Sequence, residues 1–472
     1  MAESSTATTV RRFSPRTSLA AIGLKLRQLD VCGPIRSTVT IAQKTVKHTP
    51  AQKLCDAFIT MLAGAHGLVE INARLRSDRA PQAAFGRAGC AEQSVVQETL
   101  DACSAANVAQ LERAVDAIYR RHSRGYRHDY AHSWQVLDAD MSGLPCGPKA
   151  ACATKGYFAK QRNRRGRQLG RVVASRYDEV VVDRLFAGTA QLTTALQPLV
   201  LAAEQTLELD PAQRARTILR VDAGGGSLAD VNWALRRGYQ VHAKDYSTQR
   251  ATALAASVTA WVDDPRTPGR QVGWVTTAAT QYARPVRRIA VRCRKQNGEW
   301  GVGVIISTLP PREVLLLTRQ PLDRAADPAA VLLAYVYFYD QRGGGCETAI
   351  KGDKQGLGLT KRNKKRFAAQ QMLMLLGTLA HNVVIWARHW LAAHCPKLAR
   401  YGILRLVRDL GQISGFLAFD ATGRVVAVVL NRAAPLAGGV AAALAALLAP
   451  HGIAASLGET YSALQGCVNG VG

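Results

Sequence analysis

Three acidic residues lie in segments that could bring their carboxylates together. Asp140 and Asp222 each lie at the end of a short apolar run that glycine stops within a few residues, and Glu347 lies in the segment 339–354, Tyr-Asp-Gln-Arg-Gly-Gly-Gly-Cys-Glu-Thr-Ala-Ile-Lys-Gly-Asp-Lys. Mg²⁺ prefers carboxylates together with water and phosphate oxygens. Two such ions can hold the attacking and leaving oxygens of a phosphodiester exchange. Converging Asp, Asp and Glu side chains would therefore suit metal-dependent phosphate chemistry.

The elements around these acids must place them at one edge of a sheet. Short apolar runs that end at glycine are typical of strands. An aspartate at such a strand end points its carboxylate over the sheet edge, where open α/β sheets bind ligands. The glycine run after Asp222 is also compatible with a dinucleotide-binding turn, although a lone glycine run is weak evidence for one.

The third acid has two interpretations. A helix that begins at Glu347 would place Lys351 and Lys354 on the same face as the glutamate. One acid beside a row of cations suits a site that handles metal ions and phosphates together. A solvated helix with an i,i+4 Glu–Lys pair would have the same pattern.

Taken together, the three segments resemble those of DDE transposases of bacterial insertion sequences. More narrowly, the chain resembles the subgroup with a Tyr-x2-Arg-x3-Glu-x6-Lys signature, which Tyr339, Arg342, Glu347 and Lys354 match with one departure. Four residues, not three, separate the arginine from the glutamate. The resemblance implies an RNase H-like core in which Asp140, Asp222 and Glu347 hold two Mg²⁺ ions, with Mn²⁺ as a possible substitute.

The same resemblance assigns roles to the signature partners. Tyr339, Arg342 and Lys354 are expected to bind DNA phosphates near the cut, together with Lys351.

Asp138 and Asp140 face the same side of a strand because they are two residues apart. Asp140 is the preferred first acid because it precedes Met-Ser-Gly, as the first acid of the family commonly precedes Ser or Thr at that offset.

The composition predicts a polyanionic partner. The 472 residues include 61 Lys and Arg against 34 Asp and Glu, a formal charge of +27. Such an excess suits nucleic acid, an anionic membrane surface or ribosomal RNA equally well. The resemblance selects double-stranded DNA, as transposon inverted-repeat ends and target, bound by a homodimer or a higher synaptic assembly without a membrane. Ten scattered cysteines without a CxxC pair, and an N-terminus without an apolar signal segment, predict a cytoplasmic protein. The DNA partner that the resemblance implies makes it nucleoid-associated.

Two basic runs are predicted to contact phosphates because each follows one of the proposed metal-binding acids. A solvated charged face is the ordinary alternative for such runs. Trp300, just after the predicted hairpin turn 296–299, is expected either to pack in the β insertion or to stack on a flipped base, as related transposases do. The residues of the runs are Lys160, Arg162, Arg164, Arg165 and Arg167, and Lys361, Arg362, Lys364 and Lys365.

The order of segments predicts an α/β protein with an antiparallel β insertion and an N-terminal helical domain. The resemblance implies that its core is an RNase H-like mixed sheet flanked by helices. Within the core, residues 179–192 are expected to begin a helix and residues 331–339 to form the last strand. The predicted segments are a basic, partly disordered arm (1–49), a helical DNA-binding domain (50–127), the first part of the core (128–261), the β insertion (262–312), the second part of the core (313–408) and a C-terminal αβ tail (409–472).

The function predicted from the sequence is that of a transposase, which cuts transposon ends and joins them to target DNA by metal-dependent hydrolysis and transesterification. Two alternatives remain open. One is an RNase H-like nuclease without strand transfer, and the other is a DNA-binding relative whose catalytic core is inactive. Strand joining separates the transposase from the nuclease, and metal-dependent nicking excludes the inactive relative.

Overall fold

The fold is that of a computed structural model, which describes residues 9–44, 47–158, 161 and 163–460. Its strands are β1 Val10–Ser14, β2 Gln135–Pro145, β3 Thr154–Lys155, β4 Arg165–Ala174, β5 Glu179–Ala187, β6 Thr217–Val221, β7 Gln240–Lys244, β8 Val262–Asp263, β9 Arg270–Trp274, β10 Arg287–Arg294, β11 Trp300–Ser307, β12 Gly415–Phe419, β13 Val425–Leu430 and β14 Ala454–Leu457.

The α-helices are α1 Thr17–Gln28, α2 Gly33–Thr38, α3 Pro50–Leu62, α4 Arg79–Ala84, α5 Gln93–Asp101, α6 Ala105–His122, α7 Leu192–Leu207, α8 Pro211–Ala215, α9 Leu228–Arg236, α10 Thr248–Ala255, α11 Pro311–Leu317, α12 Pro328–Arg342, α13 Thr348–Gly356, α14 Phe367–Ala392, α15 Ile403–Arg405 and α16 Ala437–Leu448. Three π-helical turns lie at Asn72–Arg76, Gly343–Glu347 and Leu406–Leu410. Short 3₁₀ turns lie at Ala223–Gly225, Leu322–Ala326, Leu359–Lys361, Pro396–Arg400 and Ala449–His451.

Internal contacts divide the chain into two compact units. The sheet unit consists of Arg124–Pro148 and Cys152–Ile350. The helical unit consists of Met1–Ser123, Lys149–Ala151 and Lys351–Gly472. The sheet unit ends at Ile350, whereas the predicted second part of the core extends to residue 408.

The sheet unit contains an RNase H-like sheet. Five of its strands lie in the order β5-β4-β2-β6-β7. Strand β4 is antiparallel to β2 and β5, whereas β6 runs parallel to both β2 and β7. All five residues of β6 are buried, as expected for a central strand covered on both faces. Helix α7 packs on β2, β4 and β5, and helix α12 packs on β6, β9, β10 and β11, so helices flank the sheet.

The predicted β insertion extends this sheet at its β7 edge. Strand β11 pairs antiparallel with β7, and β10, β9 and β8 follow in antiparallel order. The hairpin between β10 and β11 turns at residues 295–299, where Asn297 and Gly298 match the predicted turn, and Gly298 has a φ of +83°. Strands β8 to β11 therefore lie within the segment 262–312 that is predicted as the β insertion.

Two element predictions in the core are wrong. The expected helix at 179–192 is strand β5 up to Ala187, and the expected last strand at 331–339 is part of helix α12. The run Val331–Phe338 is buried throughout, and a continuous apolar run fits a buried helix as well as a buried strand. The carboxylate of Asp327 accepts hydrogen bonds from the backbone of Ala329 and Ala330, and Pro328 occupies the first turn. These are helix-start signals.

The helical unit holds a second, smaller sheet in the order β1-β12-β13-β14. Helix α14 packs against α3 and α6, and α16 packs against α14. By length and composition α14 could cross a membrane, but 94% of its most apolar window is buried. The core helix of a folded domain passes the same test.

Within the predicted basic, partly disordered arm 1–49, the residues that the structure describes include strand β1 and helices α1 and α2. Strand β1 pairs with β12, and helix α1 buries Leu19, Ile22 and Leu24. The apolar spacing of this helix gives it a packing face, which the overall basic character of the segment conceals. Residues 1–8 and 45–46 of the arm lie outside the described residues.

Candidate metal and phosphate site

The first acid lies in the middle of β2, on the central strand of the sheet. Asp140 pairs across the sheet with Arg171, and its own backbone neighbour Met141 donates a hydrogen bond to its Oδ1 at 2.8 Å. Its side chain is 13% exposed. Burial raises the pKa of Asp140 to about 6, with a further increase from Asp222 and an opposing decrease from Arg342.

Asp138, the alternative first acid, is already paired with Arg220 and Ser175. Its two carboxylate oxygens accept from Nε and Nη2 of Arg220 at 2.6 and 2.7 Å, and Ser175 Oγ donates to it at 2.5 Å. The carboxylate is fully buried, and the Arg220 side chain is 3% exposed. A buried, bidentate pair of this kind leaves Asp138 no free oxygen for a metal ion. This geometry favours Asp140 as the first acid.

The second acid immediately follows β6. Asp222 caps the 3₁₀ turn Ala223–Gly225 by accepting from the Gly224 backbone at 2.9 Å, and its side chain is 38% exposed. A Cβ on Gly226 would lie 1.7 Å from the carbonyl oxygen of Lys244, at the end of β7. The glycine run therefore lets the chain leave β6 and pass directly against the end of the neighbouring strand.

The third acid ends a π-helical turn. Helix α12 ends at Arg342, the turn Gly343–Glu347 follows, and Glu347 has a 59% exposed side chain. A π-turn contains one residue more than an α-turn, because its hydrogen bonds join residues i and i+5. Arg342 and Glu347 are separated by five positions, so the π-turn returns them to one face, as an α-turn does for four. The π-turn therefore accommodates the one extra residue between Arg342 and Glu347, by which the chain departs from the signature spacing.

The guanidinium of Arg342 brings the three acids together. Its Nη1 lies 3.1 Å from Asp140 Oδ2, and its Nη2 lies 3.7 Å from Asp222 Oδ2 and 3.2 Å from Glu347 Oε1. The arginine side chain is 7% exposed. Burial lowers the pKa of Arg342, but the carboxylates of Asp140 and Asp222 outweigh burial and raise it. Three acids, one in β2, one just after β6 and one at the end of the π-turn, thus contact one cation.

The donor chemistry of this cluster suits a hard divalent cation, since every candidate ligand is a carboxylate oxygen. Among the described residues, no three ligating side chains are spaced to hold a metal ion directly. The reason is visible in the cluster, because its carboxylates are spread around a guanidinium, which is wider than a metal ion. Asp140, Asp222 and Glu347 supply the oxygen donors that a hard cation prefers, and the guanidinium of Arg342 contacts all three carboxylates.

Tyr339 borders the cluster on α12, one turn before Arg342. Burial raises the pKa of Tyr339 to about 12, against a smaller opposing effect of Arg342. The tyrosine therefore stays protonated at neutral pH. Its predicted contact with DNA phosphate stays a prediction.

The first basic run is partly exposed and partly buried. Arg164 and Arg165 are exposed, but Arg167 is only 1% exposed. A guanidinium at that depth presents no surface to DNA, so the predicted phosphate contact of Arg167 is wrong for this fold. Lys160 and Arg162 lie outside the described residues.

The second basic run, in the helical unit, is divided in the same way. Lys361 and Lys365 are exposed, and the half-buried Lys364 contacts Gln97. Arg362 is 1% exposed and donates to the carbonyl oxygens of Leu357 and Ala65. Burial lowers the pKa of Arg362 to about 10. The predicted phosphate contact of Arg362 is therefore wrong, and its role is to join backbone segments.

The remaining predicted contacts lie on two elements. Lys351 is exposed and Lys354 is half-buried, both on α13. Trp300 begins β11 and is 37% exposed, so it is not a core residue. The guanidinium of Arg292 lies 4.5 Å from the centre of the Trp300 ring and 4.0 Å from that of Trp261. Arg292 thus bridges two indoles at the insertion, a cation–π arrangement that was not predicted from the sequence.

Sequence reasoning also missed the partners of Asp138. Arg220 interrupts an otherwise apolar run in β6, and a charged residue in a strand that is buried on both faces needs an ion partner. That rule could have pointed to an acid on a neighbouring strand. The position of Arg342 inside the carboxylate cluster had no comparable signal.

No protein-family model matches the sequence, and no curated protein is significantly similar to it. Among solved structures, the chain resembles the piggyBac transposase in its synaptic complex with hairpin DNA. The alignment has a TM-score of 0.45 and 12% sequence identity, and it covers 85% of this chain and 82% of that chain.

Proposed function

We propose that the chain is a DDE transposase of a bacterial insertion sequence, which cuts transposon ends and joins them to target DNA. One observation carries the proposal: Asp140, Asp222 and Glu347 converge on a single cation beside the C-terminal end of β6, in an RNase H-like sheet. The same acids would hold two Mg²⁺ ions, or Mn²⁺ in their place. When bound, such ions lower the pKa of an attacking water or hydroxyl and stabilise the leaving oxygen.

The residues of the chain would supply position and charge. Asp140 is fixed by its strand and Asp222 by its capped turn, so two of the three carboxylates are oriented before a ligand binds. Phosphates of the DNA would meet Tyr339, Arg342, Lys351 and Lys354, with further contacts from exposed cations of the two basic runs. A homodimer or higher assembly would hold two transposon ends, in the cytoplasm on the nucleoid.

The test of this proposal is strand joining. The purified protein is incubated with a plasmid that carries the DNA flanking its own gene and with a second, target plasmid. We expect nicking at the flanks and joined products in Mg²⁺ or Mn²⁺, and neither in EDTA. Metal-dependent nicking without joined products would favour the nuclease alternative. Binding to the flanks without nicking in any metal would favour the inactive relative.

Replacement of two exposed lysines tests the second basic run. We expect Lys361→Ala with Lys365→Ala to weaken binding to all DNA sequences. Each lost phosphate contact should reduce the slope of log affinity against log salt concentration by about 0.9. Binding is measured by fluorescence anisotropy over a range of salt concentrations.

The matched control removes two other exposed cations of the same unit, by Lys397→Ala with Arg400→Ala. Its salt dependence should stay closer to that of the wild type. If the Lys361 and Lys365 variant keeps the wild-type slope, the run is a solvated face and takes no part in binding.

A further inference from the structure

The ion pairs of Arg342 differ in geometry from those of two other buried arginines in the sheet unit, Arg171 and Arg220. Arg171 holds Asp183 through two hydrogen bonds of 2.7 Å, and both side chains are fully buried. Arg220 holds Asp138 in the same bidentate manner. In each pair, one guanidinium matches one carboxylate. Bidentate, charge-assisted pairs of this kind are among the stronger side-chain interactions in proteins.

Arg342 instead divides one guanidinium among three carboxylates. Its Nη1 approaches Asp140 Oδ2 to 3.1 Å but forms no hydrogen bond of acceptable geometry there. The contact with Asp222, at 3.7 Å, is too long for a hydrogen bond. Only the 3.2 Å contact with Glu347 is one. The guanidinium is therefore held mainly by charge, and a stronger cation can compete for its place.

Charge balance also favours such a competition. Three ionised carboxylates and one guanidinium leave a formal charge of −2 in a partly buried cluster. A divalent ion in place of the guanidinium leaves −1, so exchange reduces the repulsion among the acids. The guanidinium and a metal ion that contacts all three acids cannot occupy the same space.

We propose that Arg342 is a displaceable counter-ion, which holds the three carboxylates together until a divalent cation takes its place. This inference rests on the proposed function, since it assigns the acids to metal binding. The released side chain, with its five donors, then becomes available for a DNA phosphate.

The proposal predicts that, in the absence of DNA, a divalent metal ion and the Arg342 side chain compete for the three carboxylates. We expect Arg342→Gln to bind Mn²⁺ about 5-fold or more tightly than the wild type, within the 5- to 150-fold range of ordinary coupling between sites. Arg342→Lys keeps the positive charge, so its Mn²⁺ affinity should lie between those of the wild type and Arg342→Gln. Binding is measured by electron paramagnetic resonance, which counts free Mn²⁺, without DNA and therefore without turnover.

Arg176→Gln provides the matched control. It removes one exposed arginine of the same unit, so it changes the net charge equally without touching the acids. Its Mn²⁺ affinity should equal that of the wild type. Equal affinity of the wild type and Arg342→Gln, or weaker binding by Arg342→Gln, would overturn the displaceable counter-ion.

Two further measurements keep the outcomes distinct. Mn²⁺ should raise the melting temperature of Arg342→Gln more than that of the wild type, because ligand stabilisation grows with affinity. If Arg342→Gln does not fold without metal, Arg342→Lys must still bind Mn²⁺ more tightly than the wild type for the inference to stand. Asp222→Asn should abolish tight Mn²⁺ binding. If it does not, the metal site of the proposed function fails, independently of Arg342.

Discussion

Asp222→Asn should lower the rate of metal-dependent plasmid nicking by more than about 100-fold and leave DNA binding within a few-fold of the wild type. Loss of even an outer partner of a metal ligand costs about 10- to 100-fold in metal affinity or activity. Loss of a ligand itself should cost more. The fold should be kept, because Asp222 is 38% exposed and an asparagine can still cap the turn at Gly224. Nicking is measured by gel assay, and binding by anisotropy.

The control is Asp323→Asn, an exposed aspartate of the same unit that lies in the 3₁₀ turn Leu322–Ala326. It should nick DNA at the wild-type rate. Wild-type nicking by Asp222→Asn would exclude the proposed triad. Parallel loss of DNA binding and nicking would show instead that the substitution disturbs the surface that holds DNA.

The sequence was most informative where local chemistry alone determines the structure. Asn297 and Gly298 between two β-rich runs define a hairpin by their turn geometry, and the structure has that hairpin. The fully apolar run 331–338 carries no period, so only its flanks distinguish helix from strand. Asp327 and Pro328 give that information, and a reading of the apolar run alone overlooks it.

Burial of individual charges is harder to predict, because it depends on tertiary neighbours. Lys361 and Arg362 are adjacent in the same basic run, yet the lysine is exposed and the arginine is buried. Arg362 binds carbonyl oxygens of Leu357 and Ala65, and Ala65 is almost 300 positions away in the sequence. Charge counting treats both residues alike. The signature spacing likewise counts the extra residue between Arg342 and Glu347 as a mismatch. The π-turn accommodates this residue.

The two aspartates of β2 should respond in opposite ways to the same substitution. We expect Asp138→Asn to lower the free energy of unfolding by about 3–5 kcal/mol, because it leaves the buried guanidinium of Arg220 without its counter-charge. Asp140→Asn should leave this free energy at pH 7 unchanged or higher in metal-free buffer. Burial raises the pKa of Asp140 to about 6, so its ionised form, which predominates at pH 7, is disfavoured in the fold.

Urea unfolding followed by circular dichroism, in EDTA, measures both effects. Any gain from Asp140→Asn should disappear as the pH falls to about 4, since the wild-type carboxyl is then protonated in the fold without a comparable cost. Nicking should show the reverse order: Asp140→Asn should be inactive when fully folded, whereas Asp138→Asn should retain nicking at temperatures where it stays folded. If Asp140→Asn destabilises the protein more than Asp138→Asn and still nicks DNA, then Asp140 is the structural aspartate, and the first acid of the site has to be sought at Asp138.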